Sequence, residues 1–179
     1  IAANAIQGPL HPQLGIAMDM SIQLKADTGA ICTLSLSFNN DGPLGTFFLR
    51  EDSDKPIIFV ASGTGFAPIK SIIEHALHIG LQRPMHFYWG GRKLADLYML
   101  EKAKQWESSG IRFIPVLSEA LPEDAWQGRT GFVHQTVLDD YRDLSAHEVY
   151  ACGAPVVVEA AHRDFTVQRG LPNEAFFSD

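Results

Sequence analysis

Cysteine is nearly missing from this sequence, since only Cys32 and Cys152 occur among 179 residues. Two thiols cannot supply the four ligands of an iron–sulfur cluster, and they do not indicate a disulfide framework. His75 and His78 share one face of a predicted helix. No third ligand accompanies them, so no metal site is predicted.

Long apolar runs and an excess of basic residues are also missing. No stretch approaches the roughly 20 apolar residues that span a bilayer, and the first residues lack the basic start and apolar block of a signal peptide. We therefore expect no membrane span and a cytoplasmic location. Lys and Arg number 14 against 21 Asp and Glu, for a formal net charge of −7, which argues against nucleic acid as a partner. Because position 1 is Ile rather than Met, the chain is expected to be a fragment.

The composition divides the chain near residue 41. Over 1–41, apolar and polar residues alternate on both sides of a turn at 27–29, which predicts a β-hairpin fragment. Residues 42–55 predict a turn, a short strand and a polar linker. Over 56–179, strands alternate with helices, a pattern typical of a parallel sheet covered on both faces. The predicted fold is therefore α/β, with a five-stranded parallel doubly wound sheet preceded by a β-hairpin fragment.

The elements of this sheet are predicted from apolar runs and helical periodicity. The strands cover 57–61, 85–89, 111–117, 148–151 and 175–177. The helices run from residue 68 to about 80, over about 94–106, near 132–138 and over 156–167.

A glycine loop follows the first of these strands. Residues 62–68 read SGTGFAP and lie where a parallel sheet binds ligands, beyond the carboxyl end of a strand. Glycines permit a tight turn and the close approach of a pyrophosphate, and a helix N-terminus adds free N–H groups. The G-x-G-x-x-P spacing departs from the common G-x-G-x-x-G dinucleotide fingerprint. A purely structural turn is therefore the alternative interpretation.

The other strand ends carry polar side chains with two interpretations each. Arg92 is placed to stack on adenine or meet a phosphate, or it is a solvated surface arginine. Asp96 and Tyr98 face a ligand, or they cap and pack their helix. Ser118 offers a hydroxyl to a ribose or its phosphate, or it is an ordinary loop serine. Cys152 lies at a strand tip that suits a nicotinamide ring and a thiol of lowered pKa, or it fills the core.

Five blocks in order resemble the ferredoxin–NADP reductase superfamily over 42–179: GTGFAP, YWGGR with DLY, PVLS, GRTGFVH and YACGAP. GPLGTFFLRED and DLY are most similar to the branch of CDP-6-deoxy-glucoseen reductases and NAD(P)H–flavin reductases. The resemblance implies the NAD(P)-binding domain of a flavin-dependent oxidoreductase, which passes a hydride from NAD(P)H to FAD and electrons onward to an iron–sulfur carrier. The flavin-binding domain is an implied partner. FAD binding by this chain itself is not expected, because residues 1–41 lack the family's R-x-Y-S/T motif and are too few for its barrel.

The same resemblance implies roles for individual residues. Those implied to bind the cofactor are Gly63, Thr64, Gly65, Phe66 and Pro68 at the pyrophosphate, Arg92, Tyr98 and Ser118 at the adenosine half, and Cys152 and Gly153 beside the nicotinamide. Cys152 is the implied catalytic residue. Phe177 is the implied aromatic cover of the isoalloxazine.

Residues 1–48 resemble a second family, the C-terminal sheet domain of Gfo/Idh/MocA-type dehydrogenases, and in particular carboxy-hydroxymuconate semialdehyde dehydrogenases. Both resemblances include GPLGTFF at 42–48, which predicts a chimera joined at that peptide. Two alternatives to an incomplete flavin reductase therefore stay open. One is a non-catalytic nucleotide-binding module or defective fusion, and the other is a Gfo/Idh/MocA-type dehydrogenase fragment.

Overall fold

The structure, a computed structural model, describes the backbone of 2–7, 19–25 and 31–37, and residues 47–179 in full. The chain divides into two compact units, Ile1–Thr46 and Phe47–Asp179. Each unit is described below by itself.

The first unit contains an antiparallel sheet of three strands in the order β1-β2-β3. The strands are β1 (Ala2–Gln7), β2 (Asp19–Lys25) and β3 (Ile31–Ser37). β2 and β3 are the two strands predicted for the hairpin, while the predicted turn at 27–29 lies outside the described residues. The prediction missed β1, because its AANAIQ sequence has alanine at positions of both parities and so lacks the alternation of a half-buried strand.

The second unit contains a parallel sheet in the order β7-β6-β5-β4-β8-β9. Its strands are β4 (Ile57–Ser62), β5 (Met85–Gly91), β6 (Ile111–Leu117), β7 (Arg129–Thr130), β8 (Glu148–Cys152) and β9 (Phe176–Ser178). The predicted parallel α/β sheet is confirmed, but the number of five strands was wrong. The sixth strand is β7, whose two residues pair with Val116 and Leu117 and are too few to show any periodicity.

Four α-helices accompany this sheet: α1 (Phe66–His78), α2 (Leu100–Gln105), α3 (Val133–Asp140) and α4 (Pro155–Arg169). The single helix predicted over 94–106 was wrong, because a 3₁₀ turn at Leu94–Asp96 precedes α2. The Asp96 carboxylate accepts hydrogen bonds from the backbone N–H groups of Arg92 and Lys93, at 2.9 and 3.1 Å, and so closes this turn locally. None of the described helices is both long and apolar enough to cross a membrane.

The core of the second unit has two layers, one on each face of the sheet. One layer is strongly aromatic, with Phe59, Phe66, Phe87, Trp89 and Trp106 all buried. The other is mainly aliphatic and includes residues of α3 and α4. Its members include Ile58, Val60, Tyr88, Val137, Val149, Ala161 and Phe165.

A buried ion pair closes the amino end of the sheet. The Arg83 guanidinium donates to Glu148 Oε2 at 2.6 Å, and the two side chains are only 4% and 7% exposed. Arg83 also donates to the backbone carbonyls of Arg50 and Lys55. The short strand predicted within 42–55 does not occur in its described part, 47–55, which forms turns and bends. Two backbone carbonyls of this segment accept hydrogen bonds from Arg83, where in a strand they would accept from a neighbouring strand.

Glu148→Ala should destabilise the second unit by about 3–5 kcal/mol, because it leaves the Arg83 charge buried without its carboxylate. Urea unfolding followed by tryptophan fluorescence measures this, since all three tryptophans lie in this unit. The control Glu123→Ala changes an exposed side chain and should shift the unfolding free energy by no more than about 0.5 kcal/mol. Equal effects of the two variants would contradict a dominant role for the buried pair.

Three histidines of the second unit are wholly or partly buried: His86, His134 and His147. The Nδ1 atoms of His134 and His147 are buried and have no hydrogen-bond partner within the described part of the chain. Burial lowers the pKa of all three imidazoles, because it penalises the charged form.

The unfolding free energy of this unit should therefore be fully retained above pH ~6.5, the pKa of histidine in an unfolded chain. It should fall as the pH drops below that value, because the unfolded chain binds protons first. Urea unfolding at pH 7.5, 6.5 and 5.5 measures the trend, and His147→Gln should make it shallower. A free energy that stays constant from pH 7.5 to 5.5 would contradict the prediction.

Candidate functional site

An open cleft of ≈ 800 Å³ lies at the carboxyl ends of the parallel strands. It is lined by residues that follow β4, β5, β6 and β8, together with the segment from Gly131 to Val133. β4 occupies the middle of this edge, with β5 on one side and β8 on the other. The order in which the chain adds strands to the sheet therefore reverses at β4, and parallel α/β sheets bind ligands at such a position.

Six of the residues predicted to bind the cofactor line this cleft. They are Gly63, Thr64, Arg92, Tyr98, Ser118 and Gly153. The other predicted residues, which are not among those lining it, are Gly65, Phe66, Pro68, Cys152 and Phe177.

Gly63 and Gly65 serve different purposes in the loop after β4. Gly63 has φ +52°, and a Cβ placed on it would meet nothing within 4 Å. Glycine is therefore favoured there by the backbone conformation, and space remains open beside it. Gly65 is buried, and a Cβ on it would lie 2.0 Å from the carbonyl oxygen of Cys152. Its missing side chain lets two loops touch.

The contact between the loops after β4 and β8 is made from both sides. Gly153 has φ +141°, and a Cβ on it would lie 2.2 Å from Ser62 Oγ. The backbone N–H of Ala154 donates to the same Ser62 Oγ at 2.9 Å. Ser62, which the sequence interpretation left without a role, therefore fastens the two loops together at the centre of the cleft.

Aromatic rings support the glycine loop from below. Phe66 stacks on Trp89, with ring centroids 4.2 Å apart, and is only 1% exposed. The Trp89 indole N–H donates to the Gly63 carbonyl at 3.1 Å. Tyr98 meets both rings edge-on and is about half exposed at the cleft. Phe66 therefore packs beneath the loop, with its ring shielded from the cleft.

Charged and hydroxyl groups line the wall formed by the ends of β5 and β6. Arg92 and Asp96 follow β5, and Ser118 and Glu119 follow β6. Hydrogen bonds from the backbone of Lys93 and Arg92 hold the pKa of Asp96 below its usual range. Asp96 thus performs the capping role that was one of its two interpretations.

Several lining residues were not assigned a role from the sequence. Phe132 is 63% exposed, and Val133 fits against Gly90, on which a Cβ would lie 2.8 Å from the Val133 Cβ. Gly131 is anchored by its backbone N–H, which donates to the Leu117 carbonyl at 2.9 Å. The GRTGFVH block signalled this segment, but β7, which brings it beside the strand ends, was not predicted. The sequence analysis did not single out Glu119, because the PVLS block ends one residue before it, at Ser118.

Cys152 and Phe177 both pack against other residues of the second unit. Cys152 is 8% exposed and belongs to the aromatic core layer. Burial raises the pKa of its thiol, with a further contribution from the charge of Asp179. The interpretation as a thiol of lowered pKa was therefore wrong, since none of the described residues places a cation close enough to offset the cost of burying a thiolate. Phe177 packs on Tyr150, with ring centroids 4.8 Å apart.

This arrangement fits an elongated ligand with an anionic centre. The glycine loop and the start of the 13-residue helix α1 offer backbone N–H groups and a positive dipole end. Pro68 lies in the first turn of α1, where its missing N–H costs no helical hydrogen bond. The cleft extends from this loop toward β8 on one side and toward β5 and β6 on the other. A dinucleotide has this shape.

Two known families match the sequence of this chain. Residues 59–163 match the family described as "Oxidoreductase NAD-binding domain". Residues 1–62 match "Bacterial oxidoreductases, C-terminal". The second match covers the whole first unit and ends in β4, so the two family segments overlap at 59–62.

Curated relatives divide in the same way. The "CDP-6-deoxy-L-threo-D-glycero-4-hexulose-3-dehydrase reductase" of Yersinia pestis is 45% identical over 141 residues, which are 78% of this chain and 41% of that protein. An "NAD(P)H-flavin reductase" of Aliivibrio fischeri is 35% identical over 142 residues, 78% of this chain and 58% of that protein. The "4-carboxy-2-hydroxymuconate-6-semialdehyde dehydrogenase" of a Sphingobium strain is 85% identical over 48 residues, 27% of this chain and 15% of that enzyme. The matched part of the chain thus spans only about two fifths of the length of this Yersinia reductase.

Solved structures share the fold. The cytochrome P450 reductase GcoB of Amycolatopsis is similar with a TM-score of 0.68 and 26% identity, over 94% of this chain and 57% of that one. A ferredoxin NADP⁺ reductase from Neisseria gonorrhoeae, crystallised with FAD and NADP, has a TM-score of 0.64 at 15% identity, over 99% of this chain and 91% of that one. With its parallel sheet, its strand-end cleft and a family match over 59–163, the chain belongs to the oxidoreductase NAD-binding domain family, in its ferredoxin reductase-like form.

Proposed function

We propose that the cleft binds NAD(P)H and presents it to a flavin held by another domain or protein. The observation that carries this proposal is the glycine loop at the centre of the strand-end cleft, fastened to the loop after β8 and walled by Arg92, Ser118 and Tyr98 on the other side. The similarity to an NAD(P)H-flavin reductase supports the same conclusion.

Each part of the cleft has a distinct task in this proposal. Backbone N–H groups of Gly63 and Thr64 and the start of α1 hold the pyrophosphate. Arg92, Tyr98 and Ser118 face the adenosine half. Gly65, Phe66 and Pro68 act indirectly, since they shape the loop and its helix from beneath.

The nicotinamide half is placed beside Gly153 and the backbone of Cys152. When bound, the reduced nicotinamide supplies a hydride to its acceptor. The chain's own contribution is to hold the ring in one orientation against the loop after β8, whose position the Ser62 hydrogen bond fixes. Cys152 contributes a neutral thiol of small volume at this point, in keeping with its raised pKa.

The flavin and the electron acceptor are proposed to come from outside this chain. Two reductases that are 45% identical to this chain are more than twice as long as the segment they share with it, which leaves room in them for a flavin-binding domain. By resemblance, the final acceptor is an iron–sulfur electron carrier. Phe177 remains a candidate to cover the isoalloxazine, although here its ring packs on Tyr150.

The first unit favours a second interpretation, in which the chain is a fusion without complete activity. Its match to the C-terminal family of bacterial oxidoreductases and its 85% identity to a piece of the Sphingobium dehydrogenase support a separate origin for it. Because only 15% of that enzyme is represented, we do not propose its activity for this chain.

Calorimetric titration of the purified chain with NADH should show one binding site, and Gly65→Ala should weaken binding about tenfold or more. The added methyl group would overlap the Cys152 carbonyl and push the two loops apart. Gly80→Ala is the control, because a Cβ there would meet nothing within 4 Å and Gly80 is not among the residues that line the cleft. Its positive φ of +67° puts any strain at the end of α1, so the variant should leave NADH binding unchanged. Failure to bind either NADH or NADPH would favour the defective fusion.

Cys152→Ala should slow the NADH-dependent reduction of added FAD about tenfold while the dissociation constant for NADH changes little. The reason is that the lost sulfur leaves a gap in the core beneath the loop after β8, which loosens the backbone that orients the nicotinamide. Cys32→Ala, in the first unit, is the control for thiol loss. Unchanged FAD reduction by Cys152→Ala would remove Cys152 from the catalytic site.

A further inference from the structure

Glu119 occupies a fixed position on the wall of the cleft formed by β5 and β6. Its backbone N–H donates to the Arg92 carbonyl at 2.8 Å, and that of Ser118 donates to the Gly91 carbonyl at 3.0 Å. Both residues line the cleft. The carboxylate and the neighbouring hydroxyl are therefore carried on backbone that is tied to the adjacent strand end.

Within residues 47–179, the Glu119 carboxylate takes part in no side-chain hydrogen bond or ion pair. Asp96, the other acidic residue on this wall, accepts hydrogen bonds from two backbone N–H groups. Arg92 is the one cation among the described residues that line the cleft. The wall thus carries one positive charge against two negative charges, and only the carboxylate of Glu119 is left for a ligand.

The position of the adenosine follows from the proposed function, on which this inference rests. With the pyrophosphate at the loop after β4 and the nicotinamide beside β8, the adenosine must lie toward β5 and β6. Its ribose then meets Ser118 and Glu119. NADH presents a 2′-hydroxyl at that point, which can donate to a carboxylate, whereas NADPH presents a 2′-phosphate of nearly two negative charges.

We propose that Glu119 makes the cleft selective for NADH over NADPH. Its carboxylate accepts a hydrogen bond from the ribose 2′-hydroxyl, as an acidic residue near a strand end does in other dinucleotide-binding sheets. The same carboxylate repels a 2′-phosphate, and the single guanidinium of Arg92 is too little to offset both acids of the wall. Ser118 is neutral and accommodates either ligand.

Two pairs of ligands test this proposal by calorimetry on the whole chain. NADH is compared with NADPH, and 5′-AMP with 2′,5′-ADP, a pair that differs at the same phosphate but lacks the nicotinamide. The wild-type chain should bind the ligand without the 2′-phosphate about tenfold more tightly in each pair. Glu119→Gln should narrow both ratios, and Glu119→Arg should invert them.

Glu123→Gln is the matched control, because it removes the same charge from an exposed side chain only four residues away that does not line the cleft. It should leave both ratios unchanged. Equal affinities of the wild-type chain for the two ligands of each pair would overturn the selectivity role while leaving nucleotide binding intact. The same holds if Glu119→Gln and Glu123→Gln change the affinity ratios equally. Failure of the wild-type chain to bind any of the four ligands would instead overturn the proposed function, and the role of Glu119 with it.

Discussion

The cleft depends on the close contact between the loops that follow β4 and β8. Gly65 lies against the Cys152 carbonyl, Gly153 lies against Ser62, and the Ala154 N–H donates to the Ser62 hydroxyl. A side chain at either glycine would force the two loops apart, since the nearest atoms would be only 2.0 and 2.2 Å from its Cβ. The separation of the two halves of the cleft is thus set by backbone packing, which is far less variable than contacts between long side chains.

Much of the second unit could be predicted from its sequence because its signals are local. Apolar runs predicted the strands that begin at Ile57, Met85 and Ile111, and the glycine loop was recognised from its place between a strand and a helix. Six predicted residues meet in the cleft because parallel strands end at one edge of a sheet. That rule requires no knowledge of side-chain packing.

The features that escaped prediction depend on contacts between distant parts of the chain. β7 exists only because Val116 and Leu117 offer it hydrogen bonds. The pKa of the Cys152 thiol follows from burial in an aromatic layer built by several elements, whereas the sequence shows only a cysteine before a helix. Asp96 likewise could be seen as a ligand residue or a cap until its two backbone donors were known. In each case the local pattern allowed two outcomes, and tertiary structure selected one.

The buried ion pair of Arg83 and Glu148 has a consequence for how such a chain can arise. Its partners are Glu148 and the carbonyls of Arg50 and Lys55, all within the unit that begins at Phe47. Within residues 47–179, the ion pair and its two carbonyl contacts therefore form an anchor for the polypeptide that enters the sheet. A gene rearrangement that replaces everything upstream would leave this anchor whole. The second unit thus contains its own anchor, and it occurs here beside a segment that is similar to part of another dehydrogenase.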